Sequence, residues 1–318
     1  MSLTGSNNKK AILAAIAFFD LFDYPLTVLE IWQYSQEKNS LSQINKKLKE
    51  MIVAGHLEEK QNFYFLPGRV EIITTRLKRY NYTQRKLKHA RRLVYLWRLI
   101  PWIKMIAVGN LIGTHNLKDK SDIDLFVITV PNRVWLTRFF TAGLAALLGL
   151  RPKPGKTKDR ICLSFYISES DLCLSRFLLP PTNGRMDIYF IYWLAGLVPI
   201  YDTNQTYDKF MEINRWLKEY LPNWRRFKSV RPLIGSPNKL YGQIIDLFLG
   251  RWEKLAQKWQ RKKMPTEIKK LINKDTRVVV DDKTIKLHTN DRRAKYQNKL
   301  SSTLTKIFYV SCRNKKGR

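Results

Sequence analysis

Asp122 and Asp124 stand two residues apart in the run Ser121–Thr129, SDIDLFVIT. Positions i and i+2 of a strand project to the same face, which would set the two carboxylates side by side. Carboxylates that close repel one another unless a cation sits between them. A hard divalent ion such as magnesium favours such an oxygen pair and brings phosphate oxygens with it. The rest of the run is apolar, so solvation alone does not account for its acidic face. Upstream, the apolar run Met105–Val108 leads into Gly109-Asn110. A glycine lets the backbone approach a phosphate closely, and the free N–H groups of a following helix attract anions.

Those residues need particular elements to hold them. The patterning predicts a buried strand over Met105–Val108, a sharp turn at Gly109-Asn110, a short helix over Leu111–Asn116 and a second strand over Ser121–Thr129. A third strand is expected at Ile161–Ser168, ICLSFYIS.

The stretch resembles the nucleotidyltransferase fold of the DNA polymerase beta superfamily. The signature of that superfamily is a strand, then Gly-Ser or Gly-Gly, about a dozen residues, then Asp-x-Asp or Asp-x-Glu on the next strand. Here Gly109-Asn110 is followed by eleven residues and then Asp122-Ile123-Asp124. The match is best over about 104–170, with Asn110 replacing the usual Ser or Gly; an amide can still donate to a phosphate. The resemblance implies that Asp122 and Asp124 are catalytic metal ligands for magnesium or manganese. It implies that Gly109, Asn110 and Ser121 bind a nucleoside triphosphate substrate, and that NMP passes to a hydroxyl of a nucleic acid, a protein or a small molecule. The ions would clamp the triphosphate and stabilise the attacking and leaving oxygens.

The family carries a third carboxylate on a following strand, and Ile161–Ser168 has none. Glu169 and Asp171, just past its end, are the nearest catalytic candidates, with Asp187 further on. Two readings follow: a magnesium-dependent nucleotidyltransferase, or a catalytically degenerate protein of that fold with a nucleic-acid-binding or regulatory role. Gly155-Lys156-Thr157 ends like a P-loop, but position 150, which needs glycine, is Leu150, and the segment precedes a strand instead of following one. His115 is the only histidine near the motif and reads as a surface residue.

Around this core, residues 11–67 have the order of a winged helix-turn-helix. A helix over Ala11–Phe22 ends at Asp23-Tyr24-Pro25, Thr27 caps a second over Val28–Ser35, and Ser40 opens a third that Gly55 stops. Short strands follow at His56–Lys60 and Phe63–Leu66. The third helix carries Lys46, Lys47 and Lys49, suited to phosphate contact more than to base reading. Residues 69–100 read as one long helix. No acidic residue occurs from Ile72 through Lys118, a span with eleven Lys and Arg. Solvated helix faces usually alternate sign, so this one is expected to meet a phosphate backbone or an acidic partner.

Leu240–Gln260 is amphipathic, and its apolar side, Ile244, Leu247, Leu255 and Trp259, is expected to face the core, with a membrane-surface helix as the lesser reading. Arg277–Val280 and Thr284–Leu287 are expected to pair as a hairpin. The fold class is therefore α+β: a small mixed-sheet nucleotidyltransferase core flanked by a winged helix-turn-helix-like module and a mostly helical C-terminal region. The divisions are 1–68 for the module, 69–103 for the basic connecting helix, 104–185 for the core and 186–318 for the helical, basic remainder.

Composition sets the limits. The chain has 318 residues and a formal charge of +32, yet 44% of its residues are hydrophobic and 12% aromatic. That excludes a disordered basic protein and leaves nucleic acid, nucleotide and anionic membrane as the partners to consider. Three cysteines with no regular spacing make neither a disulfide framework nor a zinc site, which suits reduced thiols in a cytoplasmic protein. Phe139–Leu150 and Ile188–Ile200 are too short to cross a bilayer, which takes about 20 residues, and read as buried helices; no transmembrane segment is expected. Nothing in the pattern indicates an oligomeric state.

Overall fold

The computed structural model describes residues 4–110, 115–180, 186–226 and 239–316. The chain opens with three helices, α1 (Thr4–Asp20), α2 (Val28–Tyr34) and α3 (Leu41–Val53), and a hairpin of β1 (Glu58–Lys60) and β2 (Phe63–Phe65). Both expected caps form: Thr27 and Ser40 each accept a backbone N–H, and Glu30 and Gln43 reciprocate, giving two complete capping boxes. The long helix α4 spans Glu71–Trp97.

The sheet follows. Its strands are β3 (Ile103–Val108), β4 (Ile123–Thr129), β5 (Ile161–Ser168), β6 (Val198–Asp202), β7 (Val278–Val280) and β8 (Thr284–Leu287). They lie in the order β6-β3-β4-β5-β8-β7. Only β4 and β5 are parallel; every other neighbouring pair is antiparallel. Between them run α5 (Val134–Leu147), α6 (Ile188–Ala195), α7 (Thr206–Ile213), α8 (Leu217–Tyr220), α9 (Lys239–Leu249), α10 (Glu253–Lys263) and α11 (Thr266–Leu271), with α12 (Arg293–Lys316) closing the chain. The structure is thus a mixed α+β fold built on one six-stranded sheet.

Alternation along β4 explains the layering. Ile123, Leu125 and Val127 enter a core shared with α4, α5 and α10, while Phe126 and Ile128 enter the opposite core with α1, α6 and α7. The N-terminal helices belong to this second core: Phe18 and Phe19 lie 4.7 and 5.2 Å from the Tyr192 ring of α6. The N-terminal segment, from Ile12 to Leu57, therefore shares its apolar core with the sheet.

Three expectations change, and one that holds is extended. The apolar run Ile188–Ile200 is a helix only to Ala195; Gly196 ends it, and Val198–Asp202 becomes β6. Pro199 is tolerated there because β6 is an edge strand. The hairpin Arg277–Leu287 forms as expected but joins the central sheet through β5. The C-terminal helices do not turn their apolar side inward: Leu247 is 77% exposed, Leu255 55% and Trp259 53%. Nor is Phe139–Leu150 wholly buried, since Leu147 is 86% exposed.

The basic helix α4 finds much of its negative charge inside the molecule. Arg76 pairs with Glu30 at 2.7 Å, Arg79 with Asp23 at 3.1 Å, Arg85 with Asp119 at 2.7 Å and Lys86 with Asp159 at 2.8 Å. Lys78, Lys88 and Arg92 remain exposed.

Candidate metal centre and its cleft

The parallel pairing of β4 with β5 brings three ligand-bearing residues together. Asp124 stands opposite Cys162 in register, and Asp122 precedes β4 by one residue. One carboxylate oxygen from Asp122, one from Asp124 and the Cys162 sulfur all lie within 4.8 Å of one another. The turn closes around them: the Gly109 N–H donates to the Asp124 carbonyl at 2.9 Å, and Asn110 Nδ2 donates to the Asp122 carbonyl at 3.1 Å. The other amide atom, Asn110 Oδ1, is buried without a hydrogen-bond partner among the described residues. A buried acceptor left open beside two carboxylates suits a cation or a donor from a ligand.

Gly109 is needed for a second reason. A Cβ there would come within 3.0 Å of the Trp193 indole nitrogen. The helix proposed from sequence at Leu111–Asn116 lies mostly outside the described residues; His115 and Asn116 at its end are not helical.

Electrostatics fit the arrangement. Burial, and then the neighbouring Asp122, raise the proton affinity of Asp124 until its pKa is about 7. Burial likewise raises that of Asp122, although Lys86 opposes it. Burial and the two carboxylates push the Cys162 thiol well up, so it is neutral unless a metal displaces its proton. Neither aspartate has an ion-pair partner among the described residues, in contrast to Asp159, Asp119 and Asp246. The oxygen set is that of a hard divalent cation, with one thiol added.

Asp124, Gly109 and Asn110 line one side of a cleft. Tyr189, Trp193 and Phe165 make its aromatic wall, and Lys286, His288 and Arg292 supply nitrogen groups. Trp193 stacks on Phe165 at 5.6 Å, and Tyr189 on Tyr296 at 5.3 Å. His288 meets Ser164 Oγ through Nε2 at 2.8 Å, and burial lowers its pKa to about 4, so it is neutral at pH 7. Burial, then the Arg293 charge, brings Lys286 down to about 8.

The remaining residues named from sequence lie elsewhere. The Glu169 N–H bonds the Thr129 carbonyl, which puts Glu169 at the far end of β4 from Asp124, where it faces Lys104 at 3.4 Å and Lys209 at 3.9 Å. Asp171 pairs with Arg176 at 2.5 Å. Asp187 caps α6, accepting from Phe190 N and Leu179 N at 3.1 Å and pairing with Arg293 at 2.8 Å. Asp291, on the cleft wall, is held by Arg293 at 2.6 Å. The Ser121 hydroxyl donates to the Lys118 carbonyl, not to the cleft. His115 packs edge-on to Tyr80 of α4.

Cys162, Lys286 and His288 went unrecognised in the sequence. Cys162 carries no motif, and its partner in space is 38 residues away in the chain. Lys286 and His288 stand at i and i+2, and only the pairing of Lys286 with Phe165 of β5 and the hydrogen bond of His288 to Ser164 bring them to the site.

Compared with known proteins, the chain matches no family model, no curated protein and no solved structure.

Proposed function

We propose that the cleft binds a nucleoside triphosphate through a divalent cation held by Asp122 and Asp124, and that the protein transfers NMP to a hydroxyl acceptor. The observation that supports this most is the Asp122–Asp124 pair, which among the described residues pairs with no cationic side chain, beside the Gly109 turn and an Asn110 Oδ1 that has no partner among those residues. A bound magnesium or manganese ion would neutralise phosphate charge and act as a Lewis acid. The chain's own groups supply the rest. Arg292, exposed on the cleft wall, offers positive charge to the phosphates, Lys286, bonded to the Thr276 carbonyl, adds a buried charge behind it, and the aromatic wall with Tyr189 and Trp193 offers an apolar surface to a base. The acceptor hydroxyl gives up its proton to solvent as its oxygen attacks the α-phosphorus, the bond to the bridging oxygen breaks and pyrophosphate leaves.

One observation favours a second reading. Cys162 occupies the β5 position opposite Asp124, and no further carboxylate joins the group among the described residues. A site lacking a third carboxylate to take the acceptor proton would bind nucleotide without turning it over, as a nucleic-acid-binding or regulatory protein. Incubation with α-labelled NTPs, magnesium and RNA, DNA or lysate separates the two. Label transfer that Asp122→Asn abolishes supports the enzyme; no transfer, or transfer unchanged in Asp122→Asn, rejects it.

A further inference from the structure

The C-terminal segment α9–α10 presents an apolar face to solvent. Ile244, Leu247, Phe248, Trp252, Leu255 and Trp259 recur at the three- and four-residue spacings of one helical face, and each is about half exposed or more, from 48% at Ile244 to 77% at Leu247. A 3₁₀ turn at Gly250–Trp252 joins the two helices with no loop between them. The face is continued by α5, where Phe139 meets the Trp259 ring edge-on at 5.6 Å and Leu147 is 86% exposed. Scattered exposed apolar residues are ordinary, but a contiguous stripe marks a contact surface.

The charges of this segment are sorted by sign. Its two acidic residues are both engaged by the rest of the chain. Asp246 takes Arg133 at 2.5 Å and Trp102 Nε1 at 2.6 Å. Glu253 caps α5, accepting the N–H groups of Trp135 and Leu136 at 2.9 Å. What remains outside is basic: Arg251, Lys258 and Lys262 are exposed and fall within or beside the apolar stripe. Both carboxylates of the segment are thus occupied by partners, and the exposed charges along the apolar stripe itself are cationic.

We propose that this face docks on an anionic lipid bilayer surface, with α9 and α10 lying in the interface plane. Three features commit it to lipid. Leu, Ile and Phe side chains gain nothing from a phosphate backbone but bury readily among acyl chains. Trp252 and Trp259 suit the headgroup level, where an amphipathic ring has both environments. The lysines and arginines extend their stems along the apolar side and leave their charges at the anionic headgroups. A second copy of a chain carrying +32 would be repelled from the same face. No helix among the described residues is long and apolar enough to cross a membrane, so the contact is peripheral. This inference does not depend on the metal cleft.

Flotation of the full chain with vesicles of phosphatidylcholine alone, or of phosphatidylcholine with about one third phosphatidylglycerol, tests it, run beside Leu247→Asp/Phe248→Asp and Lys258→Glu/Lys262→Glu. All four positions are exposed, and an unchanged thermal midpoint confirms that each variant folds. The wild type is expected to float with anionic vesicles and not with neutral ones, and both variants to bind at least about tenfold more weakly. Failure of the wild type to float overturns the proposal, as does a Leu247→Asp/Phe248→Asp variant that floats as well as wild type, since that binding would be charge alone. A wild-type dimer in solution that Leu247→Asp/Phe248→Asp converts to monomer also overturns it, because a second copy would then own the face.

Discussion

Asp124 holds a carboxylate where an isolated one would be unstable. Its pKa, about 7 against an ordinary 3.8, means the folded state binds a proton there that the unfolded chain has already released. The stability this contributes is complete below about pH 4 and is lost as pH rises through 7. In metal-free protein, Asp124→Asn is therefore expected to raise the melting temperature at pH 8 by roughly 3–6 °C and to change it little at pH 4. Magnesium should do the same for the wild type at pH 8 and nothing for the variant. A melting temperature that does not respond to either change contradicts the strained pair. Cys162 offers a complementary test. Cys162→Asp adds a third carboxylate at the register position opposite Asp124. It should lower stability in chelator, regain it in magnesium and raise any label transfer; stability indifferent to magnesium would show that Cys162 does not share the site.

At the scale of elements, the site is held by contacts whose function is positional. Lys86, fully buried on α4, donates to Asp159 at 2.8 Å and to the carbonyl of Ser121, pinning the loop that delivers Asp122. Lys86→Met removes the buried donor from both acceptors, leaving Asp159 to Arg85 at 3.2 Å and the Ser121 carbonyl to the Asp159 N–H at 3.3 Å, and is expected to cost about 1–2 kcal/mol, read as a lower denaturant midpoint with unchanged slope. Gly109→Ala pushes a methyl toward Trp193, 3.0 Å away, at a cost of about 1–3 kcal/mol. Trp193→Phe removes the clashing nitrogen, so the double variant should recover much of the loss; a strictly additive pair would mean that the two residues are not in conflict. These elements also show how far the sequence could be read. The β3-turn-β4 unit, β5, both capping boxes and the 277–287 hairpin are local patterns, and local pattern is what a sequence displays. The placement of Glu169 and Asp171 was not, because proximity in the chain says nothing about which end of a parallel strand faces the cleft. The β6 strand was hidden in an apolar run with no periodicity to tell strand from helix. The outward face of α9–α10 was hidden because amphipathicity shows that a helix has two sides without showing which side meets the protein.

For the molecule as a whole, the charge of +32 divides into two parts. Arg76, Arg79, Arg85 and Lys86 spend theirs on internal acids that fasten α4 to the N-terminal helices and to the loops around β4. Lys78, Lys88 and Arg92, with Lys46 and Lys49 on α3, stay exposed. If these carry nucleic-acid contacts, duplex affinity should fall with salt at a log–log slope of about −0.9 per phosphate neutralised. The triple variant Lys78→Gln/Lys88→Gln/Arg92→Gln should then flatten that slope by roughly 2–3; an unchanged slope would place the nucleic acid elsewhere. The same internal acids explain why a long acid-free helix in the sequence overstated the free positive surface.

The central claim is that Asp122 and Asp124 turn the cleft into a cation-dependent triphosphate site, a property shared by the enzymatic and the non-enzymatic reading. Calorimetric titration of the full chain with a non-hydrolysable nucleoside triphosphate, in magnesium and again in chelator, measures it directly. Binding is expected in magnesium, to weaken at least about tenfold in chelator, and to be lost from Asp124→Asn while that variant remains folded. Affinity that is the same in chelator, or the same in Asp124→Asn, would contradict it.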